Sequence, residues 1–439
     1  MRAWTEPVRT ALLIAAMTAA GLALTLYVFY PGVTTFDALY LYKDMTKGFF
    51  GDWQSPAMIV LWSLVDPIAP GTASILILTV ALYWSAFAVI ALTIAQRSFW
   101  LAVLVPVLAL SPPTFILVGI IWRDILFGVA WLLAAGLVYS VADCRRPVRI
   151  PVQFIAFALL AFGVLLRPNA LAAAPLLSAY VLWPARFAWR RAALLCVPAA
   201  LGLFGLVQVV YYDVLGAARQ HPLHSIMVFD LGGISHFSKQ NVFPGAWTAD
   251  ESRLITDGCY KPLAWDIYWT QQPCLFVMEH LEKRDKFFAA PALTEAWQRA
   301  IVSHPVAYLM HRADFMWTFL FGSENMTMWT RDLDDPSAII FADNPRLMAL
   351  KTLNDALKPT PLLRPGTWLM IDAAVCLLAW RRRDTPPGAF ALGIGGSAVL
   401  YLLTFFAVGV ATDYRYAYWA VLAGLTGAVA VAVERRTAT

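Results

Sequence analysis

Apolar residues in this chain run on in stretches of about 12–24 residues, several of them of the 18–22 that a helix needs to cross a hydrocarbon core. The runs are about Thr10–Tyr30, Thr72–Ala95, Phe99–Leu110, Asp124–Val141, Pro151–Leu166, Ala170–Trp183, Ala193–Val214, Gly366–Trp380, Ala389–Val410 and Ala417–Val433. Phe99–Leu110 is short and contains Pro106. Between them, arginines fall in short groups: Arg2 and Arg9, Arg97, Arg145–Arg149, Arg186–Arg191, Arg381–Arg383 and Arg435–Arg436. Read with the positive-inside rule, this predicts about ten spans with both termini on the inner side. The first run follows basic residues as a signal peptide would, but its length and the lack of a small-residue cleavage site predict an uncleaved helix.

Two stretches break the pattern. After the first run, Phe36–Met45 and Ser55–Leu64 read as short amphipathic helices around a Gly/Phe turn, Gly48–Gly51. The second stretch is the long polar region 215–363, which holds all six histidines and most of the acidic residues. Within it, Thr294–Phe321 reads as an amphipathic helix on the membrane surface, broken at Pro305, with Arg312 in need of polar surroundings. The expected organisation is a transmembrane module over 1–214 with its first external loop at 31–71, an extracytoplasmic region over 215–363, and closing helices over 364–439. The fold class is all-α polytopic membrane protein, with interfacial helices and a helical or mixed external domain.

Composition agrees. Of 439 residues 60% are hydrophobic and only 14% charged, which excludes an ordinary soluble domain. The 18 Trp and 16 Tyr suit interfacial belts. A net charge of +5, spread over short clusters, gives no footprint for nucleic acid. Cys144, Cys196 and Cys376 read as small hydrophobes in apolar segments. Cys259 and Cys274 stand 15 apart in the polar region, and whether they are bridged is left open.

On this topology the outer ends of distant spans collect Asp37, Asp44, Asp52, Trp122-Arg123-Asp124, Arg167, Asn169 and Arg415. Charged groups at helix ends are commonly caps or anchors, but the charge rule disfavours arginines on this side, and an anionic ligand would account for them. Asp372 falls inside an apolar run, as an intramembrane carboxylate or one that reaches the interface. His221, His224, His236 and His280 lack ligand spacing; His236 follows DLGGIS (Asp230–Ser235), whose glycines read as a turn. Asn325-Met326-Thr327 fits a glycosylation sequon.

The stretches TTFDALY, DWQSPA, WRD, RPNA and DYRY resemble those of the GT-C superfamily, membrane glycosyltransferases that use polyprenyl-phosphate sugars, such as protein O-mannosyltransferases and the lipid A aminoarabinose transferase. The resemblance covers the arrangement of the whole chain but few motif positions. Many bacterial relatives read DWHPP where this chain has Gln54 and Ser55. The resemblance implies an inverting transfer with Asp37 as general base and Asp124 as a second catalytic carboxylate. Arg123, Arg167, Asn169, Tyr414 and Arg415 would bind the donor phosphate. Asp44, Asp52, Gln54 and His236 would orient the acceptor. A divalent cation, Mg2+ or Mn2+, between Asp37 and Asp124 is a further expectation. The partners would be a polyprenyl-phosphate sugar, an extracytoplasmic glycan, lipid or protein acceptor, and the lipid bilayer, with no nucleic acid. Arginine in place of lysine, with an Ala/Leu/Gly-rich composition, points to a GC-rich bacterium and hence to an inner-membrane protein facing the periplasm. A lipid-linked glycan polymerase or ligase shares this site logic. A lipid-linked sugar transporter or flippase would instead predict two related halves with polar groups near the midplane.

Overall fold

A computed structural model describes residues 5–323, 325, 327 and 344–437. Arg2 and Met326, which entered the topology and the sequon, lie outside them. The described residues are helical apart from turns and three isolated bridges. In chain order the helices are α1 (Thr5–Phe29), α2 (Phe36–Lys47), α3 (Pro56–Val65), α4 (Thr72–Ala95), α5 (Phe99–Ala109), α6 (Pro112–Val118) and α7 (Arg123–Ser140). Then come α8 (Arg146–Leu166), α9 (Ala174–Leu182), α10 (Trp189–Gln208) and α11 (Leu223–Ser238). The polar region continues with α12 (Ala249–Leu254), α13 (Ile267–Thr270), α14 (Phe276–Met278), α15 (Pro291–Ser303), α16 (Pro305–Phe321) and α17 (Pro345–Leu357). The chain closes with α18 (Pro365–Trp380), α19 (Pro386–Val408) and α20 (Tyr418–Thr437).

Among the described residues seven helices are long and apolar enough to cross a bilayer, and the protein is a multi-pass membrane protein. An eighth span results if α5 and α6, bent by 47° at the Ser111 turn, are one broken crossing. Besides α5, two of the ten apolar runs fall short of span length: α9 has nine residues and α18 has 16. At 1.5 Å per residue neither reaches about 30 Å alone. Apolarity was legible in both runs, but Pro168 and Pro175 cut the first into a 3₁₀ turn and a short helix.

Burial separates core helices from those facing lipid. The central windows of α7 and α20 are 83% and 78% buried, against 22% for α8 and 6% for α10. α7 packs between α4, α8 and α20, while α18 and α19 pack against α20. The helix that carries Asp124 is therefore held on several sides. Asp372 is fully buried within the protein.

The polar region is helical too, and one expectation about it is corrected. The DLGGIS run is not a turn; it lies within α11. Its glycines provide room. A Cβ on Gly232 would run into the Tyr268 hydroxyl, and one on Gly233 into the His311 ring. Thr294–Phe321 is two helices, α15 and α16, broken at His304. α16 packs on α11, α18 and α19, while its Val306, Leu309, Met310 and Trp317 stay exposed. Arg312, fully buried, finds its polar surroundings inside the protein. Its Nη2 lies 2.6 Å from Asp230 Oδ1, and its Nη1 donates to the Gly409 carbonyl at 2.8 Å. Asp230 also contacts His311 Nε2 at 3.1 Å and accepts from the Trp297 indole at 2.7 Å. Asn325 of the sequon is buried and donates to the Phe319 carbonyl.

Removing one partner of a buried pair strands the other charge, at a cost of about 3–5 kcal/mol. Asp230→Ala is expected to lower the thermal unfolding midpoint far more than Gly233→Ala, for which overpacking costs about 1–3 kcal/mol. Unfolding in detergent measures both, and a wild-type midpoint for Asp230→Ala would refute the structural role of the network.

Candidate functional site

The first loop is fixed before it carries any chemistry. Val33 forms a parallel bridge with Ile120, exchanging hydrogen bonds with Gly119 and Ile121 at 3.0 Å each. The Trp122 indole donates to Thr35 Oγ1 at 2.9 Å, holding the residue that starts α2. Farther on, Ser55 caps α3 by accepting from Met58 N, and its hydroxyl donates to the Leu165 carbonyl at 3.0 Å. The loop is thus tied to the start of α7 and the end of α8. These are the places from which Asp124 and Arg167 project.

Asp37, in the first turn of α2, meets Arg415 from the turn before α20. Arg415 Nη1 donates to Asp37 Oδ2 at 2.7 Å, and Gln54 Nε2 donates to Asp37 Oδ1 at 3.3 Å. Arg415 Nε lies 3.0 Å from Asp413 Oδ2 and 3.9 Å from Asp124 Oδ2. Asp124 in turn pairs with Arg167 Nη2 at 2.5 Å. The Arg415 guanidinium lies 4.6 Å from the Trp122 ring centroid, and Arg167 lies 4.8 Å from that of Tyr416. Arg123 is within electrostatic reach of Asp37, Asp124 and Arg167, and donates to the Trp53 carbonyl at 3.3 Å. Among the described residues it makes no ion pair, unlike Arg167 and Arg415. The three carboxylates and three guanidiniums come from four distant segments and meet at one end of the helix bundle.

Exposure within the cluster is uneven. The Asp124 side chain is 3% exposed and Asp37 36%, so Asp37 is the carboxylate open to a ligand. Burial alone would raise the Asp37 pKa, but the charges of Arg415 and Arg123 and hydrogen bonds from Arg415 and Gln54 bring it below the ordinary carboxylate range. It is ionised at neutral pH. Arg167 is driven the other way from what burial dictates, because Asp124 beside it holds its pKa above the usual arginine value.

The remaining expected site residues are placed elsewhere or in supporting roles. Asp52 is used structurally: it accepts from the Tyr212 hydroxyl at 2.8 Å and from Gln220 N at 2.6 Å, while Gly51 bridges to Ala218. Tyr414 turns away from the arginines and donates to the Leu362 carbonyl. His236 bonds the Thr256 carbonyl and stacks on Tyr260, away from the cluster. Asp44 is buried on α2, which raises its pKa, and joins none of the cluster's ion pairs. Asn169 approaches the Tyr401 hydroxyl beside Arg167. A divalent cation does not fit between Asp37 and Asp124 as arranged, since guanidiniums already neutralise both. Among the described residues no group of three His, Cys, Asp or Glu stands together as metal ligands.

Two acidic residues were missed. Asp413 neighbours Arg415 in DYRY, and the i, i+2 spacing on a turn was the available signal. Asp266 lies within electrostatic reach of Asp37 and Arg415, brought there from the polar region with no local pattern to announce it. The site and fold together define a multi-pass, all-α membrane protein with a charged cluster at one end of its bundle. In comparisons with protein-family models, curated proteins and solved structures, nothing matches the chain.

Asp413 is fully buried, and that burial, opposed by Arg415 and reinforced by Asp124 and Asp37, raises its pKa to about 6. Folding thus favours the neutral acid. The resulting stabilisation is complete below the ordinary value of 3.8 and is lost as pH rises through about 6. Asp413→Asn is permanently neutral and is expected to gain on wild type between pH 4 and 8, by on the order of 3 kcal/mol. Thermal unfolding across that range measures the gap, and a gap independent of pH would contradict the assignment.

Proposed function

We propose that the cluster is the active site of a GT-C type glycosyltransferase, moving a sugar from a polyprenyl-phosphate donor to an extracytoplasmic acceptor. The observation that carries this reading is the 2.7 Å pair between Asp37 and Arg415, set beside Arg123 and Arg167. It supplies one accessible carboxylate next to several cations. Inverting transfer needs those two kinds of group: a base on the acceptor side and positive charge for a phosphate leaving group.

In this reaction the acceptor oxygen attacks the anomeric carbon as Asp37 takes its proton. The bond from that carbon to the phosphate oxygen breaks, its electron pair leaves with the polyprenyl phosphate, and configuration inverts. A carboxylate of lowered pKa is a weak base in the ground state. It accepts the proton as attack makes the acceptor oxygen strongly acidic. Arg123, free of ion pairs among the described residues, would take the phosphate first. Arg415 and Arg167 would share its developing charge, each presenting a planar fork suited to phosphate oxygens. Asp124 and Asp413 would act through the arginines by holding their orientation. Gln54, where many relatives carry histidine, would steady Asp37 through its amide.

The polymerase or ligase reading shares every one of these groups and differs in taking a diphosphate-linked glycan. The transporter reading is disfavoured because the charged groups gather at one bundle end. A bacterial inner-membrane location with the site facing the periplasm belongs to the same proposal.

Arg415→Ala is expected to weaken binding of a radiolabelled polyprenyl-monophosphate sugar to protein in nanodiscs by roughly tenfold to a hundredfold, as charged hydrogen bonds of about 1.5–3 kcal/mol imply. Unchanged affinity, in a variant with the wild-type elution profile, would remove the phosphate site from this cluster. Tighter binding of the diphosphate-linked donor by wild type would favour the ligase reading.

A further inference from the structure

Beside the cluster stands a wall that neither the arginines nor Asp37 use. Cys259 and Cys274 are joined in a disulfide, closing a loop that contains Trp265, Asp266 and Trp269. This loop is docked against the turn that carries Asp413 and Arg415. Trp265 N donates to the Val410 carbonyl at 2.8 Å, and Thr412 N donates to the Leu263 carbonyl at 2.8 Å. Ala264 and Ala411 form the antiparallel bridge between these bonds. On its other side the loop meets the first external loop, where the Trp53 and Trp265 rings lie 5.9 Å apart. Trp269 continues the row, 6.1 Å beyond Trp265. Exposure rises along the last step, from 7% at Trp265 to 42% at Trp269.

We propose that this disulfide-closed loop receives the acceptor and that the acceptor is a carbohydrate, stacking a sugar ring on Trp269, which Trp265 backs from behind, with its hydroxyls toward Asp266. The proposal rests on the transferase reading above and names the substrate class of that site. A flat indole face matches the C–H face of a sugar ring, while a carboxylate accepts from hydroxyls around the ring's edge. Electrostatics give the site two sides. The guanidiniums gather at the cluster while the loop adds a carboxylate, Asp266, between its two tryptophans, so the anionic donor belongs with the arginines and a neutral, hydroxyl-rich ligand belongs at Trp269. The surroundings argue against a lipid acceptor. Lys261, Thr270, Gln271 and Gln272 are exposed around the loop, a polar rim facing water and not acyl chains. With the sugar on Trp269, an acceptor hydroxyl directed toward Trp53 approaches the first loop and Asp37.

Binding of free acceptor, with no donor present, tests this independently of turnover. Wild-type protein in nanodiscs would be titrated with linear hexose and pentose oligosaccharides of two to four residues. Tryptophan fluorescence and saturation-transfer NMR would read the binding. At least one oligosaccharide is expected to bind saturably. Trp269→Ala should weaken it at least tenfold, Trp269→Phe should restore most of the loss, and the Cys259→Ser/Cys274→Ser pair should weaken it several-fold. Because Trp269 is exposed, its substitution spares the core. Full affinity in Trp269→Ala would overturn the proposal. Binding of serine- or threonine-containing peptides with no oligosaccharide binding would overturn it in favour of a protein acceptor. Sugar binding through Trp269 in a protein that never turns over a donor would keep this wall and discard the transferase reading. Donor turnover without oligosaccharide binding would do the reverse.

Discussion

The arrangement depends on one electrostatic constraint, the placement of Arg415 where it needs counter-charges. A guanidinium at the end of a packed helix bundle, with only 14% of its side chain exposed, loses most of its hydration and must recover it from protein. It does so from Asp37 near the beginning of the chain, Asp413 two residues away, and Asp124 at the start of the most buried helix. Meeting all three requires α2, α7 and α20 to end at one level. The Val33–Ile120 bridge and the Trp122–Thr35 bond set the first two of these. One buried charge thus selects the relative height of elements separated by almost the whole sequence, with Arg167 closing the circuit through Asp124.

A second buried charge extends the constraint into the polar region. Arg312 pairs with Asp230 and also donates to the carbonyl of Gly409, only a few residues before Asp413. The polar helices α11 and α16 are thereby anchored to the turn that presents Arg415. That same turn receives the loop between Cys259 and Cys274. The polar region is accordingly tied to the cluster through Arg312 and through main-chain contacts of the loop.

Much of the fold was legible because it rests on local pattern. Thr72–Ala95 is helical over the very residues its apolar run marks, and Phe36–Met45 extends only to Lys47. Asp37, Asp124, Arg167 and Arg415 could be read together, since charges at span ends are few and the charge rule orders them by side. Chain-distant geometry was not legible. Gly232 and Gly233 are indistinguishable by sequence from turn residues, and only the Tyr268 and His311 side chains packed against them explain why they are glycine. Asp52 and Tyr414 share the composition of a binding site, yet bond to Tyr212 and Leu362. Asp266 reaches the cluster through the tertiary path of a polar region whose sequence has no strong period. Span length was misjudged where proline interrupts an apolar run, as at Pro168 and Pro175.

The most direct test of the central claim is donor turnover by purified protein. Wild type and Asp37→Asn, reconstituted in nanodiscs, would be incubated with a panel of polyprenyl-monophosphate sugars, and the release of polyprenyl phosphate followed. Transfer or slow hydrolysis by wild type, abolished in a folded Asp37→Asn variant, is the result this account predicts. Equal turnover by both proteins would remove Asp37 from the chemistry. Silence from both, with the donors intact and the proteins folded, would contradict the assignment of this cluster to a monophosphate-dependent transferase.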